Sequence, residues 1–156
     1  MSKKVVVSSE KVIINAPAEL VWEVLVDFPA YGEWNDFCPS IEAELVLGSP
    51  VKMQVDLGMG LQEQVEYITC IEAPRRITWS MENKPEDPVH ADRSQIVEPI
   101  DEQRCTYVTY DEFSGAAVDA MVEAMGGAVE AGFNRCAQGV KAQAERLQAE
   151  RSCRGA

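Results

Sequence analysis

Val51, Met53, Val55 and Leu57 alternate with Lys52, Gln54 and Asp56. A period of two predicts a half-buried β-strand over 50–57. The Gly-Met-Gly at 58–60 predicts a hairpin turn. Residues 61–72 return as a strand with Leu61, Val65, Tyr67 and Ile71 on one parity. The turn APRR leads into 76–82, where Ile77, Trp79 and Met81 share a face. After the polar loop ENKPEDP come two further strands, 89–99 and 103–113, joined by IDEQ. Upstream, 40–47 reads as a strand ending at Gly48. The Val- and Ile-rich stretch 3–14 reads as another, because β-branched side chains suit a pleated surface.

Two regions carry the helical period instead. Asn15 is a candidate N-cap, and Pro17 suits a first turn. Leu20, Val21, Val24 and Leu25 then fall at helical spacing, predicting a short helix over 17–26. Asp27 and Pro29 open a second short helical segment. From 116 to about 150 one stripe recurs at steps of three and four: Val118, Val122, Met125, Val129, Phe133, Cys136, Val140, Ala144 and Leu147. That is one long amphipathic helix, with the tail RSCRGA expected to fray. Gly126 and Gly127 interrupt it, each costing about 0.5–1 kcal/mol against alanine. The pair predicts a kink that opens an entrance; close packing of helix on sheet is the alternative.

The order is strand, two short helices, six strands, one long helix. It predicts an α+β fold with a seven-stranded antiparallel sheet whose apolar face the long helix covers. A chain of 156 residues fits one domain, 1–156, with a core over about 5–148. The net charge of −12, from 26 acidic and 14 basic residues, opposes nucleic-acid binding and docking on anionic membranes. No apolar run is long enough to span a membrane, so no stable membrane insertion is expected. The N-terminus lacks the apolar core of a signal peptide. Five cysteines form no CxxC pair, which opposes a disulfide framework or a zinc site and points to a reducing cytoplasm.

Five of the eleven aromatic residues crowd into one stretch, INAPAELVWEVLVDFPAYGEWNDF at 14–37. With EAPRRITW at 72–79 and YDEFSG at 110–115, this stretch resembles the START-like superfamily, also called SRPBCC, in its bacterial polyketide cyclase/dehydratase group. The resemblance covers 5–148. It implies a helix-grip fold, in which a curved seven-stranded sheet wraps the C-terminal helix and two short helices lie between strands 1 and 2. It also implies a cavity between sheet and helix that accepts an apolar ligand. In such a fold Trp22, Phe28, Tyr31 and Trp34 are anchors for helices too short to hold themselves. Phe37 is the member assigned to a cavity wall.

On that implied cavity the candidate ligand-binding residues are Phe37, Met53, Val55, Tyr67, Trp79, Met81, Arg93, Tyr107, Thr109, Asp111, Met121 and Met125. Tyr107, Thr109, Asp111 and Phe113 share one parity of the last strand, and Thr109 stands where relatives often carry histidine. Arg93 shares that face on the neighbouring strand, so Arg93 and Asp111 are expected to pair, since a buried unpaired charge is costly. The opposite parity would turn Tyr110 and Glu112 inward instead. Arg93, Asp111 and Tyr67 are the weak candidates for acid–base catalysis. His90 is expected at a rim. No nucleophile elbow, zinc-protease or phosphate-loop motif occurs, so neither a metal nor a cofactor is expected.

Three function classes remain. The first is a carrier or sensor binding a lipophilic or aromatic small molecule, a form of lipid binding. The second is a polyketide cyclase- or dehydratase-like enzyme using acid–base groups in the same cavity. The third is a protein-interaction or chaperone-like module. An oligomer is compatible with each.

Overall fold

The computed structural model describes residues 3–154. Its strands are β1 (Val5–Ser8), β2 (Val12–Ile14), β3 (Ser40–Glu42), β4 (Pro50–Asp56), β5 (Leu61–Glu72), β6 (Arg76–Ser80), β7 (His90–Pro99) and β8 (Cys105–Ser114). All pair antiparallel in one sheet, ordered β1-β8-β7-β6-β5-β4-β3, with β2 also on β8. Two helices, α1 (Ala18–Val26) and α2 (Val118–Arg154), and a 3-10 segment at Phe28–Glu33 complete the α+β helix-grip architecture.

The sheet has eight strands where seven were expected. The polar residues at 9–11 break the first predicted strand, and both halves stay on β8: Val7 opposes Asp111, and Val12 opposes Tyr107. The predicted strand over 40–47 stops at Glu42 and gives way to turns. Asn15 does not cap α1. Pro17 holds the N-cap position, and its carbonyl accepts the amides of Leu20 and Val21. The C-terminal helix stays regular through the tail expected to fray, as far as Arg154; residues 155 and 156 lie outside the described residues.

The aromatic cluster is wholly buried. Tyr31 stacks obliquely on Trp34 at 4.8 Å between centroids and on Phe28 at 5.9 Å. Its hydroxyl donates to the Leu25 carbonyl at 2.6 Å. These contacts fix a 3-10 segment that has no stability of its own. Asn35 accepts the Cys38 amide at 2.8 Å and turns the chain so that Phe37 points under α2. Two helix glycines allow this approach. A side chain at Gly139 would run into the Trp34 backbone carbonyl, and one at Gly132 into the Phe37 ring.

The predicted helical stripe divides into two zones. From Val129 to Ala144 its members are buried against β1, β2, β8 and α1. Before that, Val118 is buried but Met121, Val122 and Met125 are only half-buried. Gly126 and Gly127 do not break the helix. A side chain at Gly127 would meet nothing, and one at Gly126 only Val122 of the same helix.

Candidate functional site

Beneath the first turns of α2 lies a cavity of about 290 Å³. Met121, Met125, Val129 and Phe133 form its roof. Val55 and Leu57, at the end of β4, form one wall; Asp111 and Phe113 of β8 form the opposite one. Between them lie Gln64 and Glu66 of β5, Met81 after β6, and Val89 and Ala91 at the entry to β7, with Phe37 closing the inner end. Gln64, Glu66 and Asp111 are the only polar residues in this lining.

Cross-strand register puts the two carboxyls there. Glu66 faces Val51 and Gln64 faces Met53 across the β4–β5 hairpin, so both share the concave face with those buried apolar side chains. Asp111 lies on the odd parity of β8 with Tyr107, Thr109 and Phe113; Tyr110 and Glu112 point to the other face. One oxygen of each carboxyl, Glu66 Oε1 and Asp111 Oδ1, is sealed from solvent and has no hydrogen-bond partner. A carboxylate stripped of water and donors disfavours its charge. Burial, and then the neighbouring Asp111, push Glu66 up to about 8, against the lowering pull of Arg93. Burial also pushes Asp111 up to about 6, again opposed by Arg93. At neutral pH Glu66 therefore holds its proton while Asp111 is mostly ionised.

Arg93 sits behind the inner wall. Its guanidinium lies 4.6 Å from the Phe133 ring centre, 5.4 Å from Phe37 and 5.5 Å from Trp79. Nε donates to Thr109 Oγ1 at 3.1 Å and Nη2 to Cys136 Sγ at 3.5 Å. Asp111 is its direct cross-strand neighbour, yet the two form no ion pair. The side chain turns into the aromatic cage and away from the carboxylate. The expected pair is thus corrected to a long-range interaction, in which Arg93 restrains but does not bind Asp111.

The expected ligand residues separate by depth and by face. Phe37, Val55, Met81, Asp111, Met121 and Met125 line the cavity. Trp79, Tyr107 and Thr109 share the concave face but are sealed in the core around Arg93 and Gln95, where the Tyr107 hydroxyl donates to Gln95 Oε1. Met53 packs beside Ile41 under the 3-10 segment instead of lining the cavity. Tyr67 lies on the opposite face of β5 from Glu66, opposite Pro50 and Ser80, and is not part of the cavity lining. His90 donates from Nε2 to the Lys84 carbonyl at 2.7 Å, outside the lining.

Glu66 and Gln64 escaped the sequence reading because a bulge between Ile68 and Cys70 changes the parity of β5. Ile71 faces inward with Ile77, but so does Ile68 with Trp79. An apolar run counted without the bulge gives the wrong face to everything before it. The hairpin was the available signal. Counting both strands back from Asp56 and Leu61, which flank a four-residue loop, sets Gln64 against Met53 and Glu66 against Val51.

The family described as polyketide cyclase / dehydrase and lipid transport matches residues 5–145. The chain belongs to this family. Solved structures share the fold. The Zhui aromatase/cyclase from Streptomyces sp. R1128 is 25% identical, with 94% of this chain and 95% of that one covered and a TM-score of 0.71. A START superfamily protein from Mycobacterium smegmatis is 17% identical over 91% and 98% of the two chains, with a TM-score of 0.69. Norcoclaurine synthase from Thalictrum flavum is 12% identical over 95% and 98%, with a TM-score of 0.71. The last two likenesses concern the fold alone. No curated protein matches the sequence. Among the described residues, no helix of this polyketide cyclase/dehydrase-family chain is long and apolar enough to cross a membrane, and no cluster of three potential metal ligands occurs.

Proposed function

We propose that this chain binds one small, mostly apolar or aromatic molecule carrying a single hydrogen-bonding head group. The observation that carries this reading is an apolar cavity with its polar groups gathered on the sheet side, two of them carboxyls with an unsatisfied oxygen. The volume lies at the lower end of small-molecule sites, roughly 300–1,000 Å³, which suits a compact ring system better than a long chain. The methionines of the roof are adaptable packing partners. A hydroxyl or protonated head would donate to Asp111, and a carbonyl or hydroxyl oxygen would accept from protonated Glu66. The family description and the aromatase/cyclase relative support a ligand of this character. The five free cysteines suit a cytoplasmic protein. An interaction module would have little use for an open, polar-tipped cavity.

Titration with 1-naphthol tests the reading. A ligand burying about 200 Å² of apolar surface gains roughly 5 kcal/mol before hydrogen bonds, so dissociation constants on the order of 10–100 µM are expected. Tryptophan fluorescence should change with a stoichiometry of one. Ala91→Leu fills the cavity from β7 and should abolish the signal. Unchanged binding by that variant puts the ligand elsewhere and sinks the proposal.

A further inference from the structure

We infer that the cavity selects a cation: a compact arylalkyl or alicyclic amine, seated with its ammonium on Asp111 and held in the field of Glu66. The inference rests on the ligand reading above and names the head group of that ligand.

The polar groups of the lining are one-sided. Gln64, Glu66 and Asp111 are its only polar side chains, and no Lys, Arg or His joins them. An anionic head would find no cation to pair with. An ammonium would find acceptors that nothing else uses, because Glu66 Oε1 and Asp111 Oδ1 are sealed from solvent and lack a partner. Buried polar atoms are ordinarily hydrogen-bonded, and an N–H bond from a cation to a carboxylate is stronger than a neutral one. Only Asp111 has to touch the ammonium. Glu66 acts through its charge, so the two carboxyls need not both reach one atom.

Charge balance points the same way. Arg93 is 6% exposed, and its guanidinium is committed to Thr109, Cys136 and three aromatic rings. None of the ion pairs among the described residues includes Arg93, Glu66 or Asp111. With both carboxyls ionised, the region holds two negative charges against one positive. The protein alone closes that gap with a proton, because Glu66 titrates only at about 8. Asp111, titrating at about 6, is already mostly ionised at neutral pH. A bound ammonium supplies the missing positive charge instead. Glu66 then gives its proton to solvent and becomes a carboxylate, while the ligand keeps its own N–H protons. The other charged groups acting on the pair are Arg93 and Asp92 of β7; α2, β4 and the segment at Phe37 contribute only apolar residues to the lining.

The probes are 1-naphthylmethylamine, 1-naphthylmethanol and 1-naphthoate, which share a ring system and differ in head group, titrated calorimetrically. Near pH 8 the amine should bind on the order of 10-fold more tightly than the alcohol, and the naphthoate more weakly than either. From about pH 6 to about 8 the amine stays protonated, and its affinity should rise roughly 3- to 10-fold per pH unit as ionising Glu66 becomes easier. The affinity of the alcohol should not rise. Titrations of the amine near pH 7 in buffers of different ionisation enthalpy should show about one proton released per ligand bound. Glu66→Gln should abolish that release, and Asp111→Asn should weaken the amine on the order of 10-fold or more. Glu63→Gln, at an exposed position of β5, should change neither. An alcohol that binds as tightly as the amine near pH 8, or proton release that persists in Glu66→Gln, overturns the inference and leaves the ligand reading standing. Failure of the amine, the alcohol and 1-naphthol alike to bind overturns both.

Discussion

Replacing Glu66 by glutamine should change the pH dependence of stability in a defined direction. The folded-state value of about 8 exceeds the ordinary 4.5, so the folded chain binds the Glu66 proton more tightly than the unfolded chain does. The resulting stability is fully present below pH 4.5 and is lost as pH rises towards about 8. Over that interval the slope is about 1.4 kcal/mol per pH unit, giving a total decline on the order of 3–5 kcal/mol. Glutamine has nearly the same shape and no charge to bury. At pH 4.5 the two proteins should agree to within about 1 kcal/mol; near pH 9 Glu66→Gln should be the more stable by roughly 3–5 kcal/mol. Urea melts of both proteins at unit steps from pH 5 to 9 supply the difference directly. The net charge of −12 makes general repulsion grow with pH, but that contribution is common to both and cancels. Parallel stability curves across the range would mean that Glu66 is solvated, and the cavity would lose its acid.

Two further tests concern α2. Gly127→Ala adds a methyl group that meets nothing, so it should stabilise by roughly 0.5–1 kcal/mol; Gly132→Ala drives a methyl group into the Phe37 ring and should destabilise by about 1–3 kcal/mol. Thermal melts of the two variants should shift in opposite directions, and 1-naphthol affinity should fall only in Gly132→Ala, because Phe37 is a cavity wall. Phe133→Ala empties a fully buried site whose ring meets Phe37 edge-on at 5.5 Å between centroids. It should cost about 3–5 kcal/mol in urea melts, and a loss under about 1 kcal/mol would remove Phe133 from the core.

The fold was legible because its signals repeat over many residues. Nine positions of one stripe all point to a single long helix, and alternation over 50–57 survives any single misreading. What failed was local. Only the three polar residues at 9–11 mark the break within 3–14, and they are easily read through, since both halves remain β-rich and pair with the same strand. The glycine pair at 126 and 127 was conspicuous in sequence and meets no other element of the fold, whereas Gly132 and Gly139, each alone, are the positions where another segment comes too close for a side chain. A close approach between residues about a hundred positions apart has no signature in either one.

The site was half legible for a related reason. The parity of β8 placed Asp111 on the concave face, and the methionines of α2 pointed to an adaptable roof. Register, however, says which residues are neighbours and not which way a long side chain turns. Arg93 stands directly across from Asp111 and still directs its guanidinium to Thr109, Cys136 and three aromatic rings. That choice has a chemical consequence. A direct ion pair would occupy the carboxylate oxygens and hold Asp111 far below the neutral range. At a distance, the guanidinium still favours the ionised form of Asp111, but it leaves Oδ1 without a partner. Glu66, buried beside that negative charge, keeps its proton. The arrangement is worse for stability than a paired or apolar core, and costs of this kind are retained where a ligand repays them. The misread ion pair and the overlooked Glu66 are therefore parts of one device: an arginine set back from two carboxyls, close enough to order their protonation and too far to satisfy either.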